Sequence, residues 1–259
     1  MMYKAACVFL VLFLSLHSMA QEPAKKAKQK KGTFYLALGS HRTFYTGSDI
    51  TLQRNADPGF DFTLYNVKAD DEGGLRFKTA PQFSYTVGYY FNTKGFGIEY
   101  HYDHIKYFMK QDQVVRMKGS VNGKIYDKDT TLTKDFVMLE HSDGGNYAMV
   151  NLVKWFPLMS DLKGNHALDL IAKGGFGLVN PKTNSTILGI HRDDKYHISG
   201  YVVGLETGLK YRFLKHFYVS GSFKGAFANY REFLIANGYG QQRWFSAQVI
   251  YLVGGQFPL

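Results

Sequence analysis

The 259-residue sequence holds one cysteine, Cys7, and only six prolines. A single cysteine excludes a disulfide framework and any metal site built from several thiolates. Scarce proline leaves long stretches free of the residue that interrupts a sheet ladder. Apolar runs of bilayer length are also lacking. Only one run approaches that length, and it opens the chain, so a helical membrane bundle is excluded. A nucleotide-phosphate loop is missing too. Gly73, Gly74, Gly144, Gly145, Gly174, Gly175 and Gly177 are followed by no Lys-Ser/Thr pair. Disorder is excluded by abundance instead, since 45% of residues are hydrophobic and 16% aromatic. Plentiful Tyr, Phe and Gly with few prolines suit an all-β protein.

The first residues read as an address. Lys4 supplies a positive charge, the segment from Ala5 to Leu16 is apolar, and Ser18-Met19-Ala20 is a small-x-small cleavage site. Residues 1–20 are therefore expected to be a secretory signal, with Gln21 beginning the exported chain. Cys7 lies inside the signal and is not followed by the start of the exported chain, which argues against a lipid-anchored terminus. Residues 21–32 carry Lys25, Lys26, Lys28, Lys30 and Lys31. They read as a solvated, basic periplasmic tail. Formal net charge is +10, but no nucleic-acid recognition motif accompanies it, so nucleic acid is not an expected partner.

From residue 33 to 259 the pattern has period two. Eight stretches alternate: they start near Phe34, Phe83, Phe96, Val150, Leu168, Leu205, Phe217 and Phe245. Each is close to the roughly 9–11 residues of a tilted transmembrane strand. Short connections at Asn92 to Gly95, Met159 to Asn165 and Lys215-His216 alternate with longer ones at Thr46 to Thr79, Gln111 to Asp143, Ser185 to Ile198 and Ile235 to Gln242. Alternation puts every short turn, with both termini, at one end. That predicts an eight-stranded antiparallel transmembrane β-barrel with short periplasmic turns and long extracellular loops. One strand face is aromatic and aliphatic while the other carries charge, Gly and Ser, the reverse of a lipocalin-type soluble barrel. Within the second long loop, Asn122-Gly123 marks a hairpin whose flanks are too charged to face lipid. It is expected as a ribbon above the membrane, and its insertion would raise the count to ten strands. Aromatic residues near strand ends, Phe44 and Tyr45, Tyr89 to Phe91, Trp155 and Phe156, Tyr211 and Phe213, Phe217 and Tyr218, and Trp244 and Phe245, suggest interfacial girdles.

The polar face holds the candidate chemistry. Glu99, His101 and Asp103 lie two apart on one strand and share a side. With Asp169, Lys173, Glu206, Lys210, Arg212 and Lys224 they are expected to form an ion-pair network that fills the lumen, since eight strands enclose little room for water. Glu140, His141 and Asp143 form a second His–carboxylate group near the fourth strand. Spacing in neither group matches a metal or acid–base motif, so no metal site and no cofactor are expected. Asp57, Asp61, Asp70, Asp71 and Glu72 make an acidic first loop without EF-hand spacing. Arg192, beside Asp193, Asp194 and Lys195, suits contact with lipopolysaccharide phosphates.

Three segments carry a family likeness: Phe62-Thr63-Leu64-Tyr65-Asn66-Val67-Lys68-Ala69, Tyr102-Asp103-His104-Ile105-Lys106-Tyr107 and Glu140-His141-Ser142-Asp143-Gly144-Gly145-Asn146-Tyr147. With them the chain resembles a family of uncharacterised outer-membrane β-barrels of Bacteroidota. That resemblance implies fold and outer-membrane location and no activity. His197-Ile198-Ser199-Gly200 is similar to the His-x-Ser-Asn element of the lipid A deacylases, eight-stranded outer-membrane barrels, with Gly200 in place of Asn. In that resemblance His197 is the base, Ser199 the nucleophile and Glu206 an orienting acid. Two functions follow as expectations. One is a non-enzymatic structural or accessory barrel, set in lipid and lipopolysaccharide and docked onto an outer-membrane complex. The other is a lipid A-modifying acyl hydrolase.

Overall fold

The computed structural model describes residues 32–57, 59–71, 82–91, 94–162 and 165–259. The expected signal, the basic tail as far as residue 31, Glu72, Gly73-Gly74 and Asn92-Thr93 lie outside the described residues. Everything regular among the described residues is strand. In chain order these are β1 (Thr33–Tyr45), β2 (Ser48–Arg54), β3 (Phe60–Val67), β4 (Ala69–Asp70), β5 (Phe83–Tyr90), β6 (Phe96–Asp103), β7 (Tyr107–Met109), β8 (Val114–Val121) and β9 (Lys124–Thr131). They are followed by β10 (Val137–His141), β11 (Tyr147–Ser160), β12 (Ala167–Val179), β13 (Asn184–Ile187), β14 (Ile190–Asp193), β15 (Gly200–Phe213), β16 (Phe217–Ile235) and β17 (Gly238–Pro258).

Eight of these close on themselves. The order is β1-β5-β6-β11-β12-β15-β16-β17, and β1 also pairs with β17 from Thr33↔Pro258 to Tyr45↔Ser246. Every neighbouring pair is antiparallel. Closure satisfies the backbone donors and acceptors that an open sheet leaves on its edges. β1 begins and β17 finishes at the end with the short turns, where the Leu259 amide donates to the Gly32 carbonyl at 3.0 Å. The turn after β15 uses three residues, Leu214 to His216, one more than the spacing suggested. Leu214 and Lys215 take left-handed backbone angles there, φ 51° and 66°.

Pleating sends alternate side chains to opposite faces. Outside stand Leu38, Leu152 and Leu205 at 67%, 72% and 74% exposure, with Phe34, Phe96, Phe176, Phe223, Phe245 and Tyr251 in the same band. A water-soluble monomer seldom exposes a contiguous apolar patch beyond a few hundred Å². This surface encircles the barrel and fits hydrocarbon. Inside, the same strands bury Glu99, His101, Asp103, Lys173, Glu206 and Lys224. The wall is thus apolar outward and charged inward, the arrangement of a membrane-spanning barrel.

The expected girdles need correction. Adjacent residues of a strand cannot share a face, so each adjacent pair splits, whereas Tyr89 stays beside Phe91 and Tyr211 beside Phe213 on one face. Phe44, Phe91, Phe217 and Phe245 point outward, whereas Tyr90, Tyr218 and Trp244 are buried inside.

The long connections are also more than loops. At that end β2 continues the line of β1 and pairs with β17 from Ile50↔Gln242 to Gln53↔Tyr239. Strands β3, β8 and β9 extend the same sheet. A second sheet, ordered β14-β13-β10-β7-β4, packs with it. Ile50, Leu52, Phe62 and Leu64 from the first sheet share one buried cluster with Tyr107, Val137, Leu139 and Ile187 from the second. A capping β-structure with its own apolar core therefore sits over the barrel mouth. The expected ribbon is β8–β9, turned at Asn122 and Gly123 with φ 49° and 74°. It stays outside the ring, which holds the barrel at eight strands. The connection expected from Ile235 to Gln242 is strand as well. β16 and β17 run on as a hairpin that turns at Ala236-Asn237.

Candidate functional site

Parity and register bring the interior charges together. Antiparallel pairing sets Lys173 opposite Glu206 and Glu206 opposite Lys224. Lys173 Nζ lies 2.9 Å from Glu99 Oε1 and 3.1 Å from Glu206 Oε1. His101 sits between the acids: Nε2 is 2.8 Å from Asp103 Oδ1, and Nδ1 is 3.5 Å from both Glu99 Oε1 and Glu206 Oε2. Lys224 Nζ donates to Asp103 Oδ2. Three carboxylates thus face two ammonium groups, and an imidazolium at His101 makes the cluster neutral. Neutral donors complete it. Tyr35 OH donates to Glu99 Oε2 at 3.0 Å, Asn151 Nδ2 to Glu99 Oε1 at 3.3 Å, Ser222 Oγ to Glu206 Oε1 at 2.7 Å and Ser84 Oγ to Asp103 Oδ1 at 2.6 Å. Several partners per carboxylate are what a buried charge requires.

Asp169 and Arg212 form a separate pair nearer the short-turn end, Nε to Oδ2 at 3.0 Å. Lys210 departs from the expectation, for among the described residues it forms no ion pair with a carboxylate. Its Nζ donates to Gln256 Oε1 at 2.8 Å and lies 4.1, 5.2 and 5.4 Å from the ring centres of Tyr218, Tyr90 and Tyr35. It is held by aromatic faces rather than by an ion pair, because β1, β5 and β16 all turn Tyr inward at this level. Gly88 makes the room. A Cβ there would stand 2.3 Å from the Tyr35 ring.

Aromatic packing closes the other end. Trp244 stacks on Tyr230 and Tyr107 with ring centres 4.5 and 4.8 Å apart, and its indole N–H donates to Tyr147 OH at 2.9 Å. His141, on β10 of the cap, stacks on Tyr230 at 5.5 Å and meets Phe233 edge-on at 5.3 Å. Its Nδ1 is 3.1 Å from Thr183 Oγ1. Burial alone pushes this imidazole down to about 3. His104, beside Asn146 Oδ1 at 2.9 Å, is also lowered, chiefly by burial.

Other sequence candidates do not converge. Glu140 accepts from Asn184 Nδ2 at 2.8 Å, while Asp143 pairs with Lys182, so neither joins His141. In the first loop, Asp71 is buried and accepts from the Thr43 amide at 2.7 Å, and Asp70 lies 3.5 Å from Lys110. Asp57 and Asp61 are exposed. Among the described residues no group of three or more His, Cys, Asp or Glu side chains is placed to hold a metal ion. Arg192 is engaged within the protein by Asp194 Oδ1 at 2.9 Å and by Asn237 Oδ1, so it is not a free rim cation. His197, Ser199 and Glu206 form no triad. Ser199 is buried and its Oγ donates to the His197 carbonyl at 3.0 Å, not to the ring. Glu206 lies in the lumen on Lys173 and Ser222.

Sequence reasoning missed Tyr35, Ser84, Asn151 and Ser222 as members of the network. Strand parity was the available signal, since each alternates with an outward apolar residue. Tyr107 and His141 had no such signal in the aromatic closure, because β7 and β10 lie outside the barrel strands.

The outer wall is indented where two glycines flank a leucine. Gly174, Leu205 and Gly225 stand side by side on β12, β15 and β16. Nothing within 4 Å would meet a Cβ on Gly225. A furrow of about 820 Å³ results, bordered by Phe223, Phe227 and Phe245.

No family model matches the chain, and no curated protein matches it in sequence. Among solved structures it is similar to Ail, the attachment invasion locus protein of Yersinia pestis, determined in complex with the heparin analogue sucrose octasulfate. Identity is 9% over 88% of this chain and 99% of that one, with a TM-score of 0.36. The outer membrane protein OprG from Pseudomonas aeruginosa shows 11% identity over 89% and 98%, with a TM-score of 0.37. Neisserial surface protein A shows 10% over 86% and 98%, with a TM-score of 0.31. Likenesses of this strength carry no functional argument. The architecture rests on the strand pairing itself.

Proposed function

We propose that this protein is a structural barrel of the bacterial outer membrane, neither an enzyme nor a pore, and an accessory component of an outer-membrane complex. The observation that carries the reading is the filled lumen. Tyrosines with Lys210, the Glu99–His101–Lys173–Glu206–Lys224 cluster and the Trp244 aromatic stack occupy it in successive layers. Ions crossing that path would have to displace charges already paired with one another. Outer-membrane placement is supported by the closed ring, since antiparallel barrels with apolar exteriors and alternating short and long connections have the form of bacterial outer-membrane proteins. Lipid and lipopolysaccharide are the neighbours such a wall requires. The furrow at Gly225 is the seat we assign to a partner's membrane segment.

Two measurements test this. Purified protein in planar bilayers is expected to show no steady single-channel current, and a stable, large conductance would overturn the sealed-barrel reading. A photo-reactive amino acid at Phe227, beside the furrow, is expected to give one discrete protein adduct in cells. A lipid-only pattern, the same as from the opposite wall at Ile98 on β6, would remove the accessory role.

A further inference from the structure

At the long-loop end, a cleft of about 530 Å³ lies between the residues that end the β13–β14 hairpin and the turn joining β16 to β17. Arg192, Asp193, Asp194 and Lys195 form one wall. Two cations and two carboxylates, with the adjoining Lys182–Asp143 pair that also meets Asp193, leave that wall with no net charge. Asp194 is more than nine-tenths buried. Its Oδ1 accepts from Arg192 Nε at 2.9 Å, and its Oδ2 is buried without a hydrogen-bond partner. Leaving an acceptor in that state is costly, and a ligand donor is one way to relieve it. The opposite wall is different in kind. Tyr239 is half exposed, Leu234 lies beside it, and Asn237 holds a left-handed backbone, φ 62°, that aims its amide across the cleft to Arg192.

A charge-balanced polar wall facing one open aromatic ring selects a particular chemistry. Each ligand group must both donate and accept, as hydroxyls do, and a flat C–H face must cover the tyrosine. A phosphorylated or sulfated ligand would meet Asp193 and Asp194, and a cationic one Arg192 and Lys195. We propose that this cleft binds a neutral saccharide, with ring hydroxyls bridging Asp194 and Lys195 and the sugar face stacked on Tyr239. The proposal goes beyond the structural role above and does not depend on it.

The test uses the full exported chain folded in lauryldimethylamine-oxide micelles, which carry no sugar headgroup. Saturation-transfer NMR is recorded with maltose, lactose and cellobiose as separate probes. Transfer to the ring protons of at least one is expected. Tyr239→Ala should weaken it about tenfold, the loss of one stacked ring, and Tyr239→Phe should retain it. Asp194→Asn tests the buried carboxylate and should also weaken it. Heat-dependent gel migration confirms that each variant is folded. Silence from all three sugars in the folded wild type overturns the proposal. So does transfer that survives Tyr239→Ala, or stronger binding of a sulfated disaccharide than of any neutral one.

Discussion

Replacing Lys224 by Met removes one cation from the centre of the barrel and keeps nearly the same length of chain. Asp103 then retains Ser84 Oγ at 2.6 Å and His101 Nε2 at 2.8 Å but loses its ammonium partner. Lys224 and Asp103 are both essentially without exposure, so water does not replace the missing charge. Two unit charges about 4 Å apart attract by about 4 kcal/mol at an effective dielectric near 20. Breaking one side of a buried pair commonly costs about 3–5 kcal/mol, because the survivor stays desolvated. A loss in that range is expected here. Urea unfolding in lipid vesicles, followed by tryptophan emission, reads it directly, since Trp244 packs in the aromatic layer of the same barrel. Lys224→Met combined with Asp103→Leu should recover much of the loss, since no isolated carboxylate remains. The coupling energy is the discriminating quantity. A single-variant cost below about 1 kcal/mol, the value of an exposed pair, would refute the reasoning, as would a double variant whose cost is the sum of the two singles.

Lys210→Met is expected to cost less than Glu206→Gln in the same unfolding assay, about 1–2 kcal/mol, since it removes cation–π contacts and one amide bond and strands no carboxylate. Acid should loosen the cap. The folded pKa of His141 lies at about 3 against an ordinary 6.5, so below pH 6.5 the opened state binds a proton that the closed state does not. Stability therefore rises with pH between about 3 and 6.5, and at pH 5 the cap should be about 2 kcal/mol weaker than at pH 7.5. Hydrogen exchange of the β10 amides at the two pH values measures this. His141→Phe, which stacks without titrating, should flatten the dependence, and an equal slope in both proteins would assign the effect elsewhere. Ser199→Ala should leave the lipid A of cells unchanged by mass spectrometry, whereas a restored acyl chain would make Ser199 a nucleophile.

What was legible from residue order alone was the part governed by local geometry. Alternation at Phe34, Leu36 and Leu38 or at Glu99, His101 and Asp103 assigns faces, because a strand has period two whatever surrounds it. Connection lengths sort the turns to two ends for a similar reason, since a chain that reverses after few residues cannot rise above the wall. Together these gave eight strands, an apolar exterior and a charged interior. Adjacent aromatics such as Trp244-Phe245 could not share the exterior by that same rule, and the structure splits them. Partner choice was decided only by tertiary structure. Lys210 points inward as parity requires, but whether it meets Asp169 or the rings of Tyr35, Tyr90 and Tyr218 depends on the stagger between strands far apart in sequence. The cap shows the same limit more strongly. Strands β4, β7 and β10 have two, three and five residues, too short for periodicity to register. They are ordered by packing against β2 and β3 and by pairing with one another. Short strands gain little from their own propensity and much from burial, so their existence depends on contacts across the whole chain.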